Sequence, residues 1–109
     1  SIILIEDIIA VNNLDEILEV ENIDIFYVAP GDLAQSMGLP GGAGTPEVNK
    51  VVDGALRKIG TAGRTPGTLA GHQSVPHYID LGTRFFSFSW LPWLSDGAEK
   101  MRAAIDAAS

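Results

Sequence analysis

Ile23-Asp24-Ile25-Phe26-Tyr27-Val28-Ala29-Pro30-Gly31-Asp32-Leu33 is the stretch on which the fold turns. An apolar run over 23–28 is cut by Pro and Gly, and an acid follows at once. Near-continuous apolarity suits a parallel strand covered on both faces. Three further runs suit strands: 2–6, opening Ile2-Ile3-Leu4-Ile5; 67–70, the weakest; and 85–89. Helical patterns fill the gaps. Ala10, Leu14, Ile17 and Leu18 recur at helical spacing before the decisive strand. A short helix from Leu33 to Met37 follows it, and Val48, Val51, Val52, Ala55, Leu56 and Ile59 then form the cleanest amphipathic stripe. Thr45-Pro46-Glu47 supplies its start signals, a capping hydroxyl, a Pro in the first turn and an acid facing the dipole, and Gly60 and Gly63 end it. A short helix is expected after Ser74, through Tyr78 to Gly82. A last one is expected from Asp96, with Glu99 completing a capping box.

The order is therefore β-α-β-α-β-α-β-α in an α/β chain, which implies parallel strands joined by right-handed crossovers. Two architectures satisfy it: an open flavodoxin-like sheet, or a (βα)4 unit, half of a TIM (βα)8 barrel. Both put function at the C-terminal ends of the strands. The chain reads as one partial domain over 1–109: it does not begin with Met, and it opens directly on a strand.

Composition narrows the function. With 46% hydrophobic and 19% charged residues the chain is globular rather than disordered. A net charge of −7 argues against nucleic acid or an anionic membrane as partner. There is no Cys, so thiolate metal sites and a catalytic thiol are excluded. No apolar run approaches the roughly 20 residues of a membrane span, and no basic region precedes Ser1. The expected compartment is cytoplasmic.

At the four strand ends stand Glu6-Asp7, Ala29-Pro30-Gly31-Asp32, Gly71-His72 and Ser89-Trp90. Two carboxylates from adjacent parallel strands, Glu6 and Asp32, can share one divalent cation, and hard oxygen donors suit Mg²⁺ or Mn²⁺. Spacing alone leaves a second reading, in which Asp32 caps a short helix.

Leu4-Ile5-Glu6, Ala10, Asn13-Leu14-Asp15-Glu16-Ile17, Asp24 and Ala29-Pro30-Gly31-Asp32-Leu33-Ala34-Gln35-Ser36-Met37-Gly38 together resemble the signature of the HpcH/HpaI aldolases. Pro46-Glu47-Val48, Gly63-Arg64-Thr65-Pro66-Gly67 and Asp80-Leu81-Gly82-Thr83-Arg84-Phe85 extend the likeness over nearly the whole chain. The resemblance implies the C-terminal half of a (βα)8-barrel lyase. It implies that Glu6 and Asp32 bind the metal (Mg²⁺, Mn²⁺ or Co²⁺), and their separation, 32 − 6 = 26 residues, fits the family. It implies a reversible aldol reaction of a 4-hydroxy-2-oxo acid, giving pyruvate and an aldehyde, in an oligomeric enzyme. Pyruvate is expected against the N–H groups of Gly31 and Asp32, with Leu69 as a wall for its methyl. His72 is a further pocket candidate. The family's catalytic His and pyruvate-binding Arg belong to the first half of the barrel, so no catalytic residue is expected here and the isolated chain is expected to be inactive. The pattern departs from the family at Leu4, where a Gln is common, at Asp7, where a Thr is common, and over Ser89 to Trp93.

A Schiff-base aldolase would need a lysine at a strand end. Lys50, Lys58 and Lys100 all fall on expected helices. Gly41-Gly42-Ala43-Gly44-Thr45 lacks the Gly-Lys-Ser/Thr ending of a phosphate loop. Trp90, Pro92 and Trp93 have no basic neighbours to make a membrane anchor, and are expected at a subunit interface or a core edge. Two alternatives stand beside the aldolase. One is a flavodoxin-like domain holding Mg²⁺, although Trp90 occupies the place its lysine needs. The other is a non-catalytic half-barrel that pairs its open sheet edges with a partner chain.

Overall fold

The computed structural model describes all 109 residues. Four parallel strands, β1 (Ile2–Ile5), β2 (Ile25–Val28), β3 (Pro66–Leu69) and β4 (Phe85–Ser87), form one sheet in the order β1-β2-β3-β4. Six helices connect and follow them: α1 (Ile8–Asn12), α2 (Leu14–Leu18), α3 (Pro30–Ser36), α4 (Pro46–Thr61), α5 (Val75–Asp80) and α6 (Leu91–Ala108). The sheet never reverses its strand order. A flavodoxin-like sheet must reverse, because its ligand site is the switch point created there. The chain is an α/β fold made of four successive βα units, the arrangement of half a (βα)8 barrel.

Register explains which side chains are covered. Ile3 pairs with Phe26 and Ile5 with Val28, while Phe26 pairs with Pro66 and Val28 with Thr68. These residues point to the helix side, because alternate residues of a strand share a face. There they meet Leu14, Leu33, Val48, Val52, Leu56 and Ile59, all essentially inaccessible to solvent. The amphipathic stripe of α4 is thus the lid of the core. Thr68, the one polar residue in the middle of this face, donates its hydroxyl to the Val28 carbonyl at 3.0 Å, which removes the penalty of burying it.

The opposite face carries Leu4, Tyr27, Gly67 and Phe85 in one row. Gly67 has no side chain, and Tyr27 uses the space. Its ring meets Phe85 edge-on at 6.3 Å, and its hydroxyl reaches across β3 to the Ser87 hydroxyl at 2.5 Å. A Cβ on Gly67 would lie 3.0 Å from both Ile25 Cγ2 and Phe85 Cδ1. Gly67→Ala is therefore expected to destabilise the chain by about 1–3 kcal/mol, an overpacking effect read in urea unfolding. An unchanged midpoint would show that this row repacks freely.

Several boundaries differ from expectation. The strands run slightly shorter than 2–6, 23–28 and 85–89, and the third spans Pro66–Leu69 rather than 67–70. The helix expected through Ala10 and Leu18 is broken at Asn13, whose φ of −99° and ψ of 14° leave the helical region. Asp7 caps α1, accepting from the Ala10 N–H at 2.7 Å. The Thr45 hydroxyl does not cap α4 and is buried without a partner. The last helix begins at Leu91, not Asp96. Pro92 fits its first turn, where a missing N–H is harmless, and this places Asp96 and Glu99 inside the helix rather than at a cap. No residue of α6 is buried. It extends the molecule to 62 Å, with a radius of gyration of 17.0 Å, against about 13 Å for a compact chain of this length. No helix is long and apolar enough to cross a membrane.

Candidate functional site

The C-terminal rim of the sheet is set by backbone bonds that extend the strand ladder. The Ala29 N–H donates to the Ile5 carbonyl at 3.1 Å, so Glu6 and Ala29 leave adjacent strands at the same level. The chain then turns into α3, with Asp32 in its first turn. A second tie fixes the β1–α1 turn against α3: the Ile8 N–H donates to the Ser36 hydroxyl at 2.8 Å. Glu6 and Asp32 thereby come to the same rim of neighbouring parallel strands. Both are exposed. Neither takes part in a hydrogen bond or ion pair, so Asp32 does not cap α3, whose N-cap residue is Ala29. No group of three or more His, Asp or Glu side chains assembles here or elsewhere. Two carboxylates with free oxygen lone pairs are a donor set that Mg²⁺ accepts, because it is commonly held by one or two carboxylates and completes its shell with water and substrate oxygens.

Next to them, the N–H groups of Gly31 and Asp32 fall in the first turn of α3, where no intrahelical acceptor exists. Gly31 is open to solvent, and a Cβ there would meet nothing within 4 Å. The helix start is approachable, although steric necessity is not what keeps a glycine at this position.

Beyond β3 the rim sinks into a cavity of about 580 Å³. Pro30, Leu69, Gly71, His72, Phe88 and Trp93 lie around it. Leu69 projects on the face opposite the core and is 45% exposed. His72 follows the β3–α5 turn, where the Ser74 hydroxyl accepts from the Gly71 N–H at 3.0 Å. Its ring stacks on Trp93 at 6.1 Å, and Trp93 stacks on Phe88 at 6.2 Å. Trp93 thus joins His72 and Phe88 in one aromatic row at the cavity. Tyr78 also lines the cavity. Burial pushes its phenol above the ordinary value, and the nearby Asp53 carboxylate adds to the shift, so the hydroxyl stays protonated at neutral pH. Asp53 itself bonds His77 at 2.8 Å, which gives that histidine a structural partner away from the rim.

The aromatic wall was not legible as a unit. Its members stand at the ends of two strands and the start of a helix, and no periodicity links them. The clue was local: Phe88 and Trp93 bracket the end of a strand at whose rim function is expected. The three lysines lie where they were expected, Lys50 and Lys58 on α4 and Lys100 on α6. Lys58 is engaged with Asp15 at 2.6 Å.

Residues 2–88 match the family model described as HpcH/HpaI aldolase/citrate lyase. The chain belongs to that family. Among curated relatives, the 2-keto-3-deoxy-L-rhamnonate aldolase of Escherichia coli K12 is 44% identical over 69 residues, which cover 63% of this chain and 26% of that protein. Among solved structures, an HpcH/HpaI aldolase/citrate lyase family protein from Burkholderia cenocepacia J2315 superposes with a TM-score of 0.85 at 24% identity, covering 96% of this chain and 42% of that one. An HpcH/HpaI aldolase from Desulfitobacterium hafniense DCB-2 gives a TM-score of 0.79 at 21% identity, covering 94% and 41%. At these identities the superpositions establish the fold. The chain matches about a quarter of the curated aldolase's length and about two fifths of each solved chain.

Proposed function

We propose that the chain is the C-terminal half of a (βα)8-barrel class II aldolase, one that reversibly cleaves a 4-hydroxy-2-oxo acid to pyruvate and an aldehyde. One observation carries the reading. Glu6 directly follows β1 and Asp32 stands in the first turn of the helix after β2, the two strand ends are tied by the Ala29–Ile5 backbone bond, and neither side chain has another partner.

In this reading Glu6 and Asp32 hold a divalent cation, which when bound supplies Lewis-acid stabilisation of the negative charge developing on the oxo acid, an effect of several kcal/mol. The chain's own groups do the positioning. The N–H donors of Gly31 and Asp32 receive the pyruvate carboxylate. Leu69 stands as the wall against its methyl, which orients the carbon that gains or loses the aldehyde. His72 borders the same cavity and carries no assigned proton-transfer role. The family's catalytic His and pyruvate-binding Arg belong to the first half of the barrel, so the 109-residue chain alone is inactive and depends on that half, within a homo-oligomer. Soluble cytoplasmic substrates and products suit it.

Titration with Mn²⁺, followed by the electron paramagnetic resonance of the free ion, tests the metal site. Glu6→Ala and Asp32→Ala are each expected to weaken binding at least about tenfold, since each removes one of only two protein ligands. Equal affinity in all three proteins removes the site. Cleavage of a 4-hydroxy-2-oxo acid by purified residues 1–109 at a whole enzyme's rate would contradict the division of labour.

A further inference from the structure

We propose that His72, Phe88 and Trp93 form the surface that selects the aldehyde, favouring an apolar, flat substituent over a polyhydroxylated one. The inference rests on the aldolase reading of the rim and deepens it. An aldol bond is made at the methyl carbon of pyruvate, so the aldehyde's substituent must lie beside that methyl, along the cavity that Leu69 also lines. Leu69 ends β3 between the ends of β2 and β4, and on the β4 side the cavity is bounded by Phe88 and then Trp93.

The chemistry of that surface is one-sided. Trp93 lies between two rings, at 6.1 Å from His72 and 6.2 Å from Phe88, with interplanar angles of 30° and 28°. Near-parallel rings present broad faces on which a planar apolar group loses water and gains stacking. Phe88 is 52% and Trp93 55% exposed, so part of each ring stays open to the cavity beside the stack. The polar neighbours are partly committed. Asn49 donates to the Gly44 carbonyl at 3.1 Å, and the Ser74 hydroxyl is tied to both backbone groups of Gly71. Gln73, Ser89 and Asp96 also line the cavity, so the discrimination rests on the ring faces themselves, where a polyol would lose hydration without regaining hydrogen bonds.

Two uncharged probes that cannot react with an amine separate the possibilities: benzyl alcohol and glycerol, each titrated into the 109-residue chain by NMR. Benzyl alcohol is expected to shift the Trp93 indole and His72 ring resonances and to leave Trp90 alone. Glycerol at equal concentration is expected to shift neither. Trp93→Ala should weaken benzyl alcohol binding at least about tenfold, while Trp93→Phe keeps it within about threefold, both with wild-type circular dichroism. Equal responses to the two probes, or wild-type binding by Trp93→Ala, overturns the proposal. The Mn²⁺ titration separates the two readings. Mn²⁺ held by Glu6 and Asp32 without a benzyl alcohol response sinks the specificity surface alone. A benzyl alcohol response with Mn²⁺ affinity indifferent to both carboxylates sinks the aldolase reading and the aldehyde role with it.

Discussion

Phe26→Ala is expected to lower the stability of the chain by about 3–5 kcal/mol, the range for emptying a large aromatic site in a packed core. Phe26 has no exposed surface and sits in β2 between Ile3 and Pro66, facing the helices. Its ring also carries the Arg64 guanidinium, 4.6 Å from the ring centre. Domains of this size are stable by only about 5–15 kcal/mol, so the variant should be largely unfolded in mild urea, where wild type is not. Circular dichroism against urea measures this; with slopes of about 1–3 kcal/mol per molar, the midpoint should fall by about 1 M or more. A midpoint equal to wild type would mean that the β2 core position is not packed as described.

Arg64→Ala should follow it in size, at about 2–4 kcal/mol, because one guanidinium closes three carbonyls. Arg64 Nη1 donates to Leu18 at 2.7 Å, and Nη2 donates to Val20 at 2.9 Å and Ile23 at 3.2 Å. These bonds hold the turn between α2 and β2, which passes through Asn22 in the left-handed region at φ 63°. The variant loses them together with the cation–π contact on Phe26. Arg64→Lys keeps the charge but not the planar fork, and should recover less than half of the loss. Hydrogen exchange gives the local readout: amides of residues 22–25 should exchange faster in Arg64→Ala, while those of α4 change only with global stability. Uniform acceleration would show that Arg64 acts through the whole core instead.

The role of Arg64 illustrates what the sequence could and could not disclose. The four strands and their covered faces were legible because Phe26, Val28 and their neighbours make apolar runs, and α4 because its stripe repeats at the helical period. That Glu6 and the turn carrying Asp32 leave the sheet at one rim was legible from topology: parallel neighbours end at the same rim. The start of β2 at Ile25 rather than 23 was not, since Ile25 pairs with Ile2 at the beginning of β1 and the Ile23 carbonyl is taken by an arginine 64 − 23 = 41 residues away. The start of α6 was misjudged for a related reason. Asp96 and Glu99 satisfied a local capping pattern, yet Pro92 had already fixed the helical backbone upstream. Thr45 likewise had the right chemistry for a cap and the wrong surroundings, as its hydroxyl is buried beside no acceptor. The aromatic wall could not be read as a unit, because its members meet only in the folded chain, although His72 was legible as a pocket candidate.

The sheet ends in β1 on one side and β4 on the other, and each margin still offers backbone donors and acceptors at its own spacing. That polarity constrains any strand that continues the sheet in the same sense. Its own carboxyl end must emerge at the level of residues 6 and 32, so the loop after it is delivered to the rim whatever its composition. Continuation of the ladder and enlargement of the chemical repertoire are then a single event: a parallel addition on either flank brings new side chains to the rim, and one beside β1 brings them next to Glu6.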